Sequence, residues 1–180
     1  FLSLRDFACI LDAAAGTDAR DVFLTIGLTG LRPSNVRLLS VDEVDGDMIR
    51  IPPGKMKGGR WGEVPVSTFA RRVLAGRDPK PFYFPARGHT DRPKGLRNVQ
   101  RACTAACSRA GLDWPTLYDL RHFFASHLAK HGATETQIGR LLCHVGTSVT
   151  SRYIHYDIED LRQLVETHGD DVRRALGNLD

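Results

Sequence analysis

Residues 116–130 read Thr-Leu-Tyr-Asp-Leu-Arg-His-Phe-Phe-Ala-Ser-His-Leu-Ala-Lys, and their apolar spacing decides the fold of this 180-residue chain. Large apolar side chains recur every three or four positions, which places them along one stripe of an α-helix. The stripe consists of Leu117, Leu120, Phe124 and Leu128. Tyr118 and Arg121 are three positions apart on its flank, so they can meet a common ligand. The segment predicts a core helix that also presents polar side chains to a site.

The rest of the chain repeats the helical pattern, apart from one stretch of short strands. A capping box at Ser3 and Asp6 opens the first predicted helix. Further helices are expected over residues 18–29, 33–39, 67–75, 94–110 and 134–142, with an amphipathic segment from Ile158. Alternating runs separated by Gly and Pro predict three antiparallel strands over residues 41–44, 48–51 and 63–66. We therefore expect one mainly α domain, residues 1–180, with a small three-stranded antiparallel sheet.

The chain carries a net charge of +4, and its basic residues are concentrated in the middle. Residues 55–101 contain twelve Lys and Arg against three Asp and Glu. Clustered cations neutralise phosphates, so this block indicates nucleic-acid binding, with an ordinary solvated surface as the alternative. The candidate phosphate-binding residues are Lys55, Arg60, Arg92, Lys94, Arg97 and Arg101, the last four assigned to the long helix.

Composition excludes several classes of protein. The four cysteines include no CxxC pair, which is typical of a reducing, intracellular protein, and Cys103 and Cys107 are interpreted as core residues. No stretch approaches the roughly 20 apolar residues of a membrane span, so we expect a soluble, cytoplasmic protein. His127 and His131 are four apart on a helix, but the sequence shows no third ligand nearby. We therefore expect no metal and no cofactor.

One set of residues has the chemistry of phosphoryl transfer without a metal. Arg32 and Arg121 supply planar cationic forks that bind two oxygens each. Lys57, in a Gly-rich turn, supplies a proton donor, and His144 supplies an imidazole. Tyr153, nine positions after His144, supplies an attacking phenol. The set predicts an active site whose nucleophile is a tyrosine.

These residues resemble the catalytic domain of the tyrosine recombinase (phage integrase) family. The matching motifs are Thr29-Gly30-Leu31-Arg32, the hairpin lysine before Val64-Pro65, Asp119-Leu120-Arg121-His122, and His144 nine positions before Tyr153. They occur in the family's order over nearly the whole chain. The resemblance implies the fold of DNA breaking-rejoining enzymes and a site-specific recombinase or integrase that acts on double-stranded DNA.

The resemblance also implies a role for each matched residue. Arg32 and Arg121 would hold the non-bridging oxygens of the scissile phosphate, and His144 would hydrogen-bond to it. Lys57 would protonate the leaving 5′ oxygen, while Tyr153 would attack phosphorus and form a 3′-phosphotyrosyl link. The basic residues of the central block would contact the DNA backbone.

The chain departs from the family pattern at two positions near the arginines. Tyr118 occupies the place of the usual histidine three residues before Arg121. With an ordinary pKa of about 10, a tyrosine is a poor proton shuttle near neutrality, so Tyr118 is expected to be a supporting phosphate ligand. Asn35 replaces the usual acidic residue and can orient Arg32 as a neutral acceptor. Cys143 stands where the motif often has glycine, and we expect it to be a small buried residue.

Several assignments have named competitors. Lys57 is preferred to Lys55 because it lies eight residues before Pro65, the spacing that similar sequences show, but Lys55 remains a candidate backbone contact. Tyr156 is a rival nucleophile, twelve residues after His144. At the level of function, type IB topoisomerase-like relaxation and a DNA-binding module with decayed catalysis remain alternatives, the latter because of Tyr118.

Two expectations concern assembly. The chain begins at Phe1 rather than Met, so we expect a fragment that lacks the separate amino-terminal DNA-binding domain usual in the family. The acidic segment after Tyr153 either docks on a neighbouring protomer in a homotetramer on DNA or folds back on its own core. The free fragment would then be a monomer.

Overall fold

A computed structural model describes residues 1–79, 81–86, 95–144 and 158–177. Within these ranges the helices are α1 (Leu4–Ala13), α2 (Asp18–Thr29), α3 (Pro33–Arg37), α4 (Thr68–Ala75), α5 (Val99–Arg109), α6 (Leu117–Lys130), α7 (Glu135–Leu141) and α8 (Ile158–Gly177). The strands are β1 (Val44–Asp45), β2 (Met48–Ile51) and β3 (Gly62–Pro65). The described part of the chain is therefore mainly helical with one small sheet, as the sequence predicts.

The helix predicted from residues 116–130 forms, and a capping box fixes its start. The Asp119 carboxylate accepts hydrogen bonds from the backbone N–H and the hydroxyl of Thr116, both at 2.7 Å. This satisfies amide groups that have no partner inside the helix. Tyr118 and Arg121 consequently lie in the first two turns of α6. The aspartate of the Asp-Leu-Arg-His motif is thus a structural residue.

Helix α2 lies at the centre of the core and packs most extensively against α6. Most of its residues are buried, including Phe23, Ile26 and Leu28. It ends at Gly30, whose φ of +63° lies in the left-handed region. Leu31 and Arg32 follow at once, so α2 and α3 meet at a sharp junction with Arg32 as the N-cap of α3.

The sheet is antiparallel in the order β1-β2-β3, with Ile49 opposite Val44 on one side and Val64 on the other. Ile49 and Ile51 are buried while Arg50 between them is exposed, which is the alternation expected of a half-buried strand. The predicted first strand was placed too early. Val41–Glu43 form a 3₁₀ turn, because the Glu43 carboxylate accepts the Ser40 N–H at 3.0 Å and caps the turn.

The long helix predicted over residues 94–110 begins only at Val99. Asn98 before it has a φ of +57°, which a continuous helix does not allow. Gly95 lies against the backbone of Arg37, where an added Cβ would be 2.2 Å from the carbonyl oxygen. Arg97 therefore precedes the helix, and of the four basic residues assigned to it only Arg101 lies on α5 among the described residues.

Helix α8 packs on the core of its own chain. Leu161, Val165 and Val172 are buried on its inner face. The Glu166 carboxylate accepts the Thr68 N–H at 2.8 Å and so caps the start of α4. Of the two alternatives for the final segment, the structure has the intramolecular one. No helix in the described ranges is long and apolar enough to cross a membrane.

The end of α7 fixes the position of His144. The His144 N–H donates to the Gly139 carbonyl at 2.9 Å, and the Cys143 N–H donates to the Arg140 carbonyl at 3.0 Å. These two bonds form a Schellman motif, which requires a left-handed residue after the helix C-cap. Cys143 occupies that place with a φ of +52° and is half-buried rather than fully buried. The family motif often has glycine at this position, and glycine adopts this left-handed conformation without strain.

We expect Gly30→Ala to destabilise the fold by about 2–5 kcal/mol, since it adds left-handed strain and a clash in the core. A Cβ at Gly30 would lie 2.3 Å from Phe124 Cδ1. Gly46 is the matched control because it has a similar φ of +61° and nothing within 4 Å. Gly46→Ala should cost only about 1 kcal/mol. Urea unfolding of both variants measures the difference, and equal costs would contradict the packing argument.

At Cys143 we expect glycine to be more stabilising than alanine, by about 1 kcal/mol, because the φ of +52° strains any residue with a Cβ. Both substitutions remove the thiol, so the comparison isolates the backbone conformation. Thermal unfolding of Cys143→Gly and Cys143→Ala provides the measurement. A more stable alanine variant would mean that the C-terminal turn of α7 does not have this conformation in solution.

Candidate active site

Arg121 is buried, and backbone carbonyls fix its guanidinium. Nη1 donates to the Gly30 carbonyl at 2.6 Å and Nη2 donates to the Leu142 carbonyl at 2.9 Å. These carbonyls belong to the C-cap residues of α2 and α7, where helix dipoles concentrate partial negative charge. The guanidinium is therefore oriented by three helices before any ligand binds.

His144 adjoins this guanidinium, with its Nε2 at 3.1 Å from Arg121 Nη2. An arginine only donates hydrogen bonds, so Nε2 accepts, and a neutral imidazole then carries its proton on Nδ1. Burial, followed by the charges of Arg121 and Arg32, lowers the pKa of His144 below its usual value. His144 is thus neutral near pH 7 and has an Nδ1–H group to offer to a ligand.

Arg32 supplies a second positive charge at the same place. Burial lowers the pKa of Arg121 to about 10, and the charge of Arg32 is the next largest cause. The guanidinium of Arg121 therefore stays charged near neutrality even with the charge of Arg32 nearby. Among the residues that the structure describes, neither forms an ion pair with a carboxylate. Two adjacent cations without a carboxylate partner favour binding of an anion.

Tyr118 lies at the edge of this cluster. It is 56% exposed in the first turn of α6, and its electrostatic effect reaches the Arg121 guanidinium. A phenolic hydroxyl in this position can donate one hydrogen bond to an anion held by the arginines. The structure thus places His144 in contact with Arg121, and Arg32 and Tyr118 within electrostatic range of that guanidinium.

Lys57 is exposed in the turn between β2 and β3. The turn contacts α3 close to Arg32. The sulphur of Met56, the residue before Lys57, lies 3.5 Å from the amide nitrogen of Asn35, three residues after Arg32. Within the described ranges Lys57 itself forms no hydrogen bond, so its assignment as proton donor stays a prediction. Asn35 is buried against Met56, and the expected hydrogen bond to the Arg32 guanidinium is not among the described contacts.

Lys55 has a structural role that its sequence context did not reveal. Its ammonium lies 2.6 Å from the Glu43 carboxylate and 2.8 Å from the Leu38 carbonyl oxygen. The Glu43 side chain is only 7% exposed, so the lysine neutralises a nearly buried charge. The ion pair gives Lys55 a structural role, while its predicted phosphate contact and the choice of Lys57 as the functional hairpin lysine stay predictions.

The remaining predicted site residues divide into two groups. Arg60, Arg97 and Arg101 are exposed and able to contact a polyanion. Arg92, Lys94, the proposed nucleophile Tyr153 and its rival Tyr156 lie outside the described residues. Sequence reasoning missed the two carbonyls that hold Arg121. The sequence points to these carbonyls only through the predicted ends of the two helices, near Gly30 and Leu142.

The sequence profile of the Phage integrase family matches residues 4–159. Tyrosine recombinase XerD of Brucella suis biovar 1 (strain 1330) is 34% identical over 159 residues, which cover 80% of this chain and 50% of that protein. The chain therefore spans about half the length of this relative.

Solved structures share the fold over most of the chain. The integrase from mycobacterium phage Brujita superposes with a TM-score of 0.76 at 19% identity, covering 99% of this chain and 62% of that one. The Tn1549 transposon integrase, in complex with circular intermediate DNA, gives a TM-score of 0.58 at 16% identity, covering 86% and 60%. These likenesses confirm the predicted tyrosine recombinase catalytic-domain fold. Because the sequence profile of that family matches residues 4–159, the chain belongs to the phage integrase family.

Proposed function

We propose that this chain is the catalytic domain of a tyrosine-type site-specific recombinase that cleaves and rejoins duplex DNA. The observation that carries the proposal is the pair of guanidiniums of Arg32 and Arg121, close enough for the charge of Arg32 to lower the pKa of Arg121, and without a carboxylate partner in the described ranges. The neutral imidazole of His144 adds a donor beside them. This arrangement fits the non-bridging oxygens of one phosphodiester.

The two arginines would stabilise the crowded intermediate of phosphoryl transfer. Its equatorial oxygens concentrate negative charge, and preorganised donors act most strongly there. The Gly30 and Leu142 carbonyls already fix the guanidinium of Arg121, so little reorganisation is needed when the phosphate arrives. Arg32 would bind the same oxygens from the junction of α2 and α3, and His144 would donate its Nδ1 proton.

The covalent step would use residues assigned by motif position. The phenol of Tyr153 loses its proton to solvent water, its oxygen forms a bond to phosphorus, and the bond from phosphorus to the 5′ oxygen breaks. Lys57 gives its proton to that leaving oxygen. This proton transfer is needed because an unprotonated deoxyribose alkoxide is a poor leaving group. Attack by another 5′ hydroxyl reverses these steps and releases the tyrosine. No external energy source is required, because the phosphodiester is conserved as a phosphotyrosyl link.

The proposed partner is double-stranded DNA, bound by exposed basic residues around the site. Arg60, Arg97 and Arg101, together with the predicted Arg92 and Lys94, would contact backbone phosphates, and such binding is salt-sensitive. The Tn1549 neighbour was solved with DNA. We propose a cytoplasmic protein that is a monomer when free and a homotetramer on DNA. Since α8 covers its own core, assembly would require other surfaces or release of that helix.

Two other functions remain distinguishable by experiment. A type IB topoisomerase would relax supercoiled plasmid without producing recombinants. A DNA-binding module with decayed catalysis would bind duplex and form no covalent product, and Tyr118 in place of the usual histidine is the observation that favours it. The Arg121 guanidinium, fixed by two carbonyls and lying 3.1 Å from His144 Nε2, supports an active catalytic site over a decayed one.

We expect the wild-type chain to form a covalent adduct with a library of duplexes nicked near candidate cleavage positions. Tyr153→Phe should abolish the adduct, whereas Tyr156→Phe should retain it. Arg121→Gln should lower the cleavage rate roughly 100-fold to 1,000-fold, since it removes a preorganised donor. Denaturing gels and sequencing of the attached DNA provide the measurement. An adduct that survives Tyr153→Phe would refute the nucleophile assignment, and its absence from the wild type would refute the proposed activity.

The depressed pKa of His144 predicts a pH dependence. The imidazole should stay neutral as the pH falls through its usual value of about 6.5, so cleavage should decline only at lower pH. NMR titration of the ring protons should give a pKa below 6.5 in the wild type. Arg32→Gln should raise that pKa, because it removes a neighbouring positive charge, and Arg60→Gln should leave it unchanged. A wild-type pKa at or above the usual value would contradict this description of the site.

A further inference from the structure

A second cluster of ligand-bearing side chains joins α6 to α8. His127 on α6 and His131, the C-cap residue of that helix, lie one turn apart, and Asp171 faces them from α8. The His131 Nε2 is 2.8 Å from Asp171 Oδ2, and the His127 Nε2 is 3.7 Å from the same oxygen. One ligand atom from each of the three residues lies within 4.8 Å of the others. The histidine pair was identified from the sequence, and Asp171, the third residue of the cluster, is brought to it by the fold.

A chain of hydrogen bonds sets the tautomer of His127. The Nε2 of buried His168 is 2.8 Å from the Gly27 carbonyl oxygen, which only accepts, so this Nε2 carries a proton. His168 is fully buried, where a charged ring is disfavoured, so the ring is neutral and its Nδ1 accepts. The His127 Nδ1, at 3.1 Å, must then be the donor. A neutral His127 consequently presents an Nε2 lone pair on the side of Asp171.

The His127 Nε2 lone pair and the Asp171 Oδ2 oxygen are 3.7 Å apart and mostly shielded from solvent, so a cation bound by both would relieve their repulsion. The His127 side chain is 7% exposed and that of Asp171 is 18% exposed, so water screens their repulsion only weakly. A metal ion would bind the lone pair and the carboxylate together.

We propose that His127, His131 and Asp171 form a binding site for a divalent transition metal of the Zn²⁺ class. Imidazole nitrogens and a carboxylate oxygen are ligands that Zn²⁺ prefers. Tetrahedral bonds of 2.0–2.1 Å place ligand atoms about 3.3 Å apart. The observed separations of 2.8 Å and 3.7 Å lie on either side of that value. His131, 34% exposed, provides the route of entry and leaves a fourth position for water.

His168 acts as a positioning residue in this site. Histidines that bind metals donate their other ring N–H to an acceptor, which fixes the ring orientation and increases ligand basicity. The His127 Nδ1–H has such an acceptor in the His168 Nδ1. That acceptor is in turn fixed by the Gly27 carbonyl in α2. The site is therefore supported by three helices.

The site is separate from the phosphate cluster, and its role would be structural. His127 lies six residues after Arg121 on α6, or about 9 Å along the helix axis. A metal here would tie α8 to the helix that carries Arg121. Without metal, Asp171 has the contacts that the structure records, an ion pair with His131 and one with Arg174.

Zn²⁺ titration of the chelator-treated chain by calorimetry tests the proposal. We expect saturable binding of one ion, which His131→Gln and Asp171→Asn should weaken by roughly 100-fold or more. The controls are His122→Gln, an exposed histidine on the same helix, and Asp170→Asn, the exposed neighbour of Asp171. Both controls should bind like the wild type. Tetrahedral Co²⁺ in the same site should give strong visible absorption bands that the two ligand variants lack.

A second measurement keeps the test valid if a ligand variant is itself less stable. Zn²⁺ at about 100 times its dissociation constant should raise the wild-type melting temperature by roughly 5–10 °C. His131→Gln and Asp171→Asn, verified as folded by circular dichroism, should show no such rise. Absence of saturable binding to the wild type would overturn the proposal. So would binding and a thermal shift that persist unchanged in both ligand variants, since the site would then lie elsewhere.

Discussion

The structure depends on the burial of one charged side chain, Arg121, against two helix-terminal carbonyls. A cation inside a protein is tolerated only when its donors are satisfied and partial negative charge surrounds it. The carbonyls of Gly30 and Leu142 provide both, and they require α2 and α7 to end at the same point in space. The left-handed residues at Gly30 and Cys143 are what allow those ends to meet there.

The same constraint explains the electrostatics of the site. Arg32 adds a second cation close to Arg121. In the described part of the chain, neither arginine forms an ion pair with a carboxylate. The repulsion is a cost of folding that a bound phosphate would offset. Together with burial, which is the larger effect, the two positive charges also lower the pKa of the nearby His144 imidazole.

The sequence predicted the parts of the fold that depend on local chemistry. The α6 stripe, the Thr116 cap and the junction at Arg32 follow from spacing and capping residues within a few positions. The parts it missed depend on distant contacts. The start of α5 was placed too early because Gly95 packs on Arg37, and the Lys55 ion pair with Glu43 has no local signature. Asp171 is 40 positions beyond His131, so the sequence could not complete that cluster.

The position of α8 shows that the end of the family's motif residues is not the end of the segment that the fold needs. All the motif residues of the family, including Tyr153, precede Ile158. Glu166 nevertheless supplies the amide cap of α4, and His168 satisfies the Gly27 carbonyl in the central helix. A truncated chain that ended just after its last motif residue would keep the complete signature and lose both contacts, along with the cover over Phe123 and Phe124. The shortest chain that contains the signature is therefore not the shortest one able to fold.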